Sequence, residues 1–367
     1  LTTEGNSTKN RFIQNVLDKT MNVTIRDVAK RAGLSITTVS RALDGYDDVA
    51  DATRARVQAL SQRMGYAPTS AARQMRRQRA DAIGFVISPL RRDDESRPFA
   101  DPFISEFVAG LGDETTRQDM DLLVSVAEPG DTEMKVYRRL IFGRRVDGFV
   151  INRLRKNDPR IQLLQKARIP FVASGRVDSA TKFPYIEIDT RAGFRQMTQH
   201  LAAQGCKRIA FIGARHDLRL HQDRLAGYRA GLRAAGLRFN PSLLTYCDLT
   251  RQGGYLAALR LLALSPRPDA ILGINDMTAL GAMRAAHDQG LKVGHDIAVA
   301  GFDDIDDAQH AQPALSTLHQ PIYNIARRLV QTLTSILRGE TPRPLHVLLQ
   351  PKLMVRASSM FVDRSNV

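Results

Sequence analysis

Between Ser35 and Arg41 the chain gathers side chains suited to reading the edge of a base pair. Ser35, Ile36, Thr37 and Thr38 open the stretch, and Ser40 and Arg41 follow one helical turn later. Short polar and apolar groups near a helix N-terminus, with an arginine able to reach a base edge or a phosphate, fit the major groove of duplex DNA. The free N–H groups of a helix start also suit a phosphate. Taken alone, the same residues would serve as an N-cap and a solvated charge, so the elements around them decide the reading.

Those elements form a short helical pattern over residues 23–68. Ile25, Val28, Ala29 and Ala32 fall on one helical face, and Thr24 with Asp27 three residues later has the spacing of a cap. Gly33 supplies a permissive turn. A second helix follows Ser35 and turns Val39, Ala42 and Leu43 inward. A third runs from Asp51 to Met64 and buries Val57, Leu60 and Met64. Three helices with a glycine break between the first two are expected to make a helix-turn-helix bundle. The next segment, TSAARQMRRQR (69–79), holds Arg73, Arg76, Arg77 and Arg79 and no acidic residue. Pro68 stops the preceding helix, and Ala71, Ala72 and Met75 share one face, so a conditional helix is expected there. Residues 1–22 show no start-of-fold pattern and are expected to be a disordered extension.

From residue 80 to 358 short β-rich runs alternate with amphipathic helices. The runs lie at 82–88, 122–126, 146–151, 169–173, 185–188, 208–213, 270–274 and 297–302, and the helices at 104–118, 131–142, 190–204, 222–236, 251–263 and 276–289. This βαβ alternation predicts parallel sheets covered by helices, and a break near Val177–Pro184 predicts two doubly wound lobes. Residues 359–367 are left as a tail. The fold class expected is multidomain: an all-α helix-turn-helix head and an α/β two-lobed core.

Charge supports the division. The first 80 residues carry 14 Lys+Arg against 7 Asp+Glu, a net density about three times that of the remainder, within a total of +15. Such an excess calls for a polyanion, nucleic acid or an acidic membrane surface. No apolar run approaches the ~18 residues of a spanning helix, and the N-terminal residues lack a signal peptide's apolar core and cleavage site. Cys206 and Cys247 have no metal-ligand spacing, and the eight histidines include no H-x-x-x-H pair. His216 and His221 flank basic residues in an expected loop. The cytoplasm is the expected compartment, with no cofactor and no metal.

The runs TIRDVAKRAGLSITTVSRAL and VADATRARVQALSQRMGYAPTSAARQM resemble the start of the lactose-repressor (LacI/GalR) family. The resemblance extends from residue 23 to about 358 and implies a periplasmic-binding-protein-like sensor core. It implies direct base reading by Ile36, Thr37 and Arg41, with Thr24, Ser35, Thr38, Ser40 and Tyr66 holding phosphates or the fold. It also implies a hinge helix that orders on DNA, where Met75 would wedge into the minor groove with Ala72 and Arg76 beside it. One departure is Ala50, where the family commonly has Ser; without Asp51 as a substitute, that helix end is weaker by about 1 kcal/mol.

In the core the resemblance points to Phe103, Arg224, Asn275 and Asp303 as effector contacts, with Asp189 a lesser candidate. Carboxylate, guanidinium and an aromatic face suit a polyhydroxy ligand, so a carbohydrate is the first expectation and a purine or other small metabolite the second. RRVDGFVI (144–151) and GCKRIAFIG (205–213) read as scaffold. The partners implied are double-stranded operator DNA, a sugar effector and a second copy of the chain as homodimer, with no membrane. An exported solute-binding protein shares the expected core but needs a signal and no DNA head. A dehydrogenase would need G-x-G-x-x-G after the first strand, and neither that nor a P-loop occurs. The function expected is a repressor of sugar-utilisation genes, not an enzyme.

Overall fold

The computed structural model describes residues 23–66, 79–89, 98–178, 182–214 and 217–360. The chain divides into two compact units, Leu1–Arg79 and Ala80–Val367, each described by itself. In the first, α1 (Ile25–Ala32), α2 (Ile36–Leu43) and α3 (Asp51–Met64) pack around buried Val28, Ala29, Val39, Ala42, Val49 and Val57. Val57 is fully buried, while Leu60 and Met64 pack against the cluster only partly covered. Gly33 ends α1 at φ 65°, a left-handed conformation that glycine adopts without a Cβ penalty. Residues 67–78 lie outside the described residues, and with them the expected hinge positions Ala72, Met75 and Arg76.

The second unit contains two lobes. In lobe 1, β1 (Ala82–Ile87), β2 (Asp121–Val126), β3 (Gly148–Ile151), β4 (Phe171–Ser174) and β5 (Tyr185–Ile188) form a parallel sheet in the order β5-β4-β3-β1-β2. Its helices are α4 (Pro102–Arg117), α5 (Asp131–Phe142) and α6 (Pro159–Lys166). Lobe 2 begins with α7 (Thr190–Ala203) and builds the parallel sheet β7-β6-β8-β9 from β6 (Ile209–Gly213), β7 (Leu244–Tyr246), β8 (Ala270–Gly273) and β9 (Ala298–Ala300). Helices α8 (Arg219–Ala234), α9 (Arg251–Leu262), α10 (Asp276–Asp288) and α11 (Asp306–His310) complete it. Strand β10 (Thr317–His319) pairs antiparallel with β12 (Lys352–Met354).

Between those two strands the chain returns to lobe 1. Helix α12 (Ile322–Leu337) packs on α4 and on the β3–β4 face, and β11 (His346–Leu349) adds a parallel edge beside β5. The chain therefore passes between the lobes three times, at 188–190, 319–322 and 349–352. Helix α12 lies outside the segments expected from the sequence, as do α6, β7, β10, β11 and β12. Lobe 2's helices approach closely because glycines remove the obstacle. A Cβ at Gly227 of α8 would stand 2.3 Å from the Arg191 carbonyl oxygen of α7, and one at Gly281 of α10 would stand 2.1 Å from that of Arg251 in α9.

Candidate functional site

In the helical head, local chemistry fixes the ends of the first two helices. The Thr24 N–H and hydroxyl both donate to Asp27 Oδ2, at 2.8 and 2.7 Å. Those hydrogen bonds hold the Asp27 carboxyl below its ordinary range. Ser35 caps α2: its Oγ accepts from the Thr38 N–H at 3.0 Å and shares a 2.8 Å hydrogen bond with the Thr38 hydroxyl. Ile36, Thr37 and Arg41 are exposed, Ile36 to 45% despite being a large apolar residue. Ser40 donates to Asp44, and Tyr66 packs against the head's core.

Arg41 is engaged within the head. Its Nε donates to Asp48 Oδ1 at 3.1 Å, its Nη2 stands 2.5 Å from Asp48 Oδ2, and its guanidinium lies 4.9 Å from the Tyr46 ring centroid. The intervening turn is tied down by Arg54, whose Nη2 donates to the carbonyls of Tyr46 and Val49. At the third helix, Ala50 occupies the N-cap with no side-chain hydrogen bond, and Asp51 instead pairs with Arg54 at 2.7 Å.

In the second unit, an open cavity of about 110 Å³ lies between the lobes. Phe103, Arg224, Asn275 and Asp303 all line it, although they come from α4, α8, the start of α10 and the segment after β9. Asp189 does not. Its carboxylate caps α7 by accepting from the Ala192 N–H at 2.9 Å. The strand ends at Ile188 and Asp189 turns into the cap of α7, whereas Glu187, still within β5, is among the lining residues. Asp101, Asn152, Arg153, Arg176, Arg219 and Gln320 also line it, and sequence patterning singles out none of them.

The lining brings cations and carboxylates together, and Asp223, just behind it, holds Arg219. Arg153 pairs with Asp101 at 2.5 Å, Arg176 with Glu187 at 2.9 Å, and Arg219 with Asp223 at 2.7 Å. Arg224 donates to the Ile274 carbonyl and lies 4.1 Å from the Phe302 ring centroid, while its Nε is buried without a hydrogen-bond partner. Burial brings the Arg224 guanidinium down to about 10, against the opposing charges of Asp303 and Asp276. Burial pushes the Asp303 carboxyl well above its ordinary range although Arg224 opposes it. Gln320 donates to Asp303 Oδ1 at 2.6 Å, and Asp303 itself holds φ 127°, a costly backbone conformation at a cavity wall. Burial likewise lifts Glu187 to about 7, with Arg176 working against it.

Asn275 serves two ends. Its Oδ1 caps α10 through the Thr278 N–H at 3.0 Å and hydroxyl at 2.6 Å, and its Nδ2 reaches the Leu249 carbonyl. One amide N–H is left for a ligand. Behind Asn152 and Arg153, buried Arg160 donates to both of their carbonyls and to Asp158, and it stands 3.4 Å from buried Glu133. Burial works against the Asp158 carboxylate, yet Arg160 holds it below its ordinary range. This network fixes the loop that faces the cavity. The same loop joins the lobes, as the Arg219 N–H donates to the Leu154 carbonyl at 2.9 Å and the Lys156 N–H to that of Asp217 at 3.2 Å. His221, expected in a loop, lies buried in α8, where its Nδ1 accepts from the Ala214 N–H; His216 is outside the described residues. Among the described residues no group of three His, Cys, Asp or Glu is placed to hold a metal, and no helix is long and apolar enough to cross a membrane.

The family described as bacterial regulatory proteins, lacI family, matches residues 24–69, and the periplasmic binding protein-like domain matches residues 198–359. The HTH-type transcriptional regulator CelR of Thermobifida fusca is 34% identical over 337 residues, covering 91% of this chain and 98% of CelR. The chain belongs to the lacI family. Among solved structures, the CelR–cellobiose complex is 33% identical with a TM-score of 0.70, covering 92% of this chain and 100% of the other. The lac repressor dimer bound to operator and the anti-inducer ONPF is 28% identical with a TM-score of 0.80, covering 92% and 99%. This lacI-family chain is thus a DNA-binding transcriptional regulator, with a helix-turn-helix head and a periplasmic-binding-protein-like core of two lobes.

Proposed function

We propose that this lacI-family regulator binds a near-palindromic operator as a homodimer, represses sugar-utilisation genes, and is controlled by a carbohydrate held between its lobes. The observation that carries the effector reading is the cavity's interleaved guanidinium and carboxylate groups. A sugar hydroxyl can donate to a carboxylate while accepting from a neighbouring guanidinium, and Phe103 offers a face for C–H surface. The unpartnered Nε of buried Arg224 and Nδ2 of buried Asn152 call for an acceptor-rich ligand. That CelR has been solved with cellobiose supports a sugar over a purine. Glu187, Arg153 and Gln320 join Phe103, Arg224, Asn275 and Asp303 as contacts, and Asp189 is assigned the cap of α7. The cavity binds and does not catalyse.

In the head, Ile36, Thr37 and Arg41 read bases, while Thr24, Ser35, Thr38, Ser40 and Tyr66 hold phosphates or the fold. Ala72, Met75 and Arg76 belong to a hinge that enters the minor groove. An operator on the bacterial chromosome places the protein in the cytoplasm. The effector shifts operator affinity only by as much as it prefers one lobe arrangement over another. The test has two arms. Selection from a random duplex pool should recover a two-fold symmetric site, and a thermal-shift screen of mono- and disaccharides should yield a stabilising sugar that also changes affinity for that site. If no sequence is enriched, or no sugar does both, this reading fails.

A further inference from the structure

Helix ends in this protein follow a rule with telling exceptions. The left-handed residue that closes α1, α3, α7, α8, α10 and α12 is glycine: Gly33, Gly65, Gly205, Gly236, Gly290 and Gly339. After α5 and α6 it is instead an arginine, Arg144 at φ 47° and Arg168 at φ 54°. Both positions would be better served, as backbone, by glycine. Arg138, Arg139 and Arg145 beside the first turn and Lys166 beside the second are exposed, as are the two arginines themselves. Among the described residues none of the six pairs with an acid.

The topology gathers these groups. In a parallel sheet, α5 and α6 return the chain to the amino ends of β3 and β4, so both turns lie at one edge of lobe 1. Ala80, next to the residue that tethers the head, enters at that edge, its N–H donating to Asp147 Oδ1 at 2.7 Å. The acids nearby are Asp147, held by that bond, and Asp81, Asp119 and Asp121, which open the neighbouring strands β1 and β2. Asp119 is itself left-handed, at φ 54°, after α4.

We propose that this basic edge is a second DNA-contacting surface, on the core rather than the head, which binds backbone phosphates without regard to sequence. The positive charge shares this edge with Ala80, the residue that directly follows the 69–79 basic run in sequence. Phosphate fits six unpaired cations better than any single acidic group does, because it repeats along the duplex.

The test uses full-length protein on random-sequence duplex, so it does not depend on finding an operator. Arg144→Gly with Arg168→Gly should leave the melting temperature unchanged or raised, because glycine suits both turns. Affinity should fall roughly fivefold for each phosphate no longer neutralised at ~0.15 M salt, and the slope of log affinity against log salt should become shallower by about 0.9 per phosphate. Asp119→Gly relieves the same backbone conformation and removes an acid, so it should not weaken binding. An unchanged affinity and slope in the double variant, with an unchanged or raised melting temperature, overturns the proposal and leaves the edge to an acidic protein. An equal loss of affinity in Asp119→Gly overturns it too, by tracing the effect to the turns. Arg41→Ala should abolish selection of an operator over random duplex, whereas the edge variants should weaken both alike.

Discussion

Asp48 is expected to restrain DNA binding, because it occupies the guanidinium that the head would use. The perturbation is Asp48→Asn, which keeps size and removes charge. Both partners of the Arg41–Asp48 pair are about half exposed, 45% and 55% by side chain, so the pair contributes at most about 1 kcal/mol to the free head. Freeing Arg41 should then strengthen operator binding by up to about fivefold. Head stability should change little, since Arg54 ties the Tyr46–Val49 turn independently of Asp48. Removing one negative charge also helps every duplex, so random DNA should gain a little, and the ratio of specific to non-specific affinity should hold or rise. Fluorescence anisotropy on operator and random duplex from ~50 to ~200 mM salt measures both. Weaker operator binding by a variant with an unchanged melting temperature would refute competition and make Asp48 the residue that aims Arg41.

Three further outcomes are expected. Arg224→Met should abolish the sugar-induced thermal shift while leaving operator binding intact, giving a regulator that no longer responds; calorimetry and gel shift read the two halves. The elevated Glu187 carboxyl, at about 7 folded against an ordinary value of 4.5, binds its proton more readily in the native state. The stability it withholds is missing above pH 7 and regained as pH falls from 7 towards 4.5, so Glu187→Gln should flatten the melting-temperature profile across that window. Ala50→Ser should supply the missing cap of α3 and raise head stability by about 1 kcal/mol, as followed by chemical denaturation, without altering operator choice.

What the sequence disclosed was mostly local. Ser35 as a cap, Gly33 as a turn and the inward faces of α1 and α2 depend on neighbours within a few residues, and the structure has them as expected. Phe103, Arg224, Asn275 and Asp303 meet in one cavity, which their separation along the chain hid and only the family resemblance suggested. Arg153, Arg176 and Glu187 gave no signal, because a lone arginine in a loop reads as a surface charge until two lobes close around it. Asp189 misled for a related reason: an acid just after a strand can cap a helix or face a ligand, and here it caps α7. The Arg41–Asp48 pair was equally hidden, since the partners stand seven positions apart across the end of α2 and the turn after it. Helix α12 lies outside the expected segments although seven of its residues, among them Leu329, Val330 and Leu333, are buried.

That last helix bears on how the protein is made. Lobe 1 takes its covering helix α12 and its edge strand β11 from a stretch that follows all of lobe 2's sheet. A nascent chain leaving the ribosome therefore presents Phe107, Leu111, Val150 and Val172 without their final cover until residues 322–349 have emerged. Synthesis halted near residue 320 would release a polypeptide whose first lobe lacks its covering helix and whose second lacks the β12 partner of β10, and such products are natural clients for chaperones and proteases.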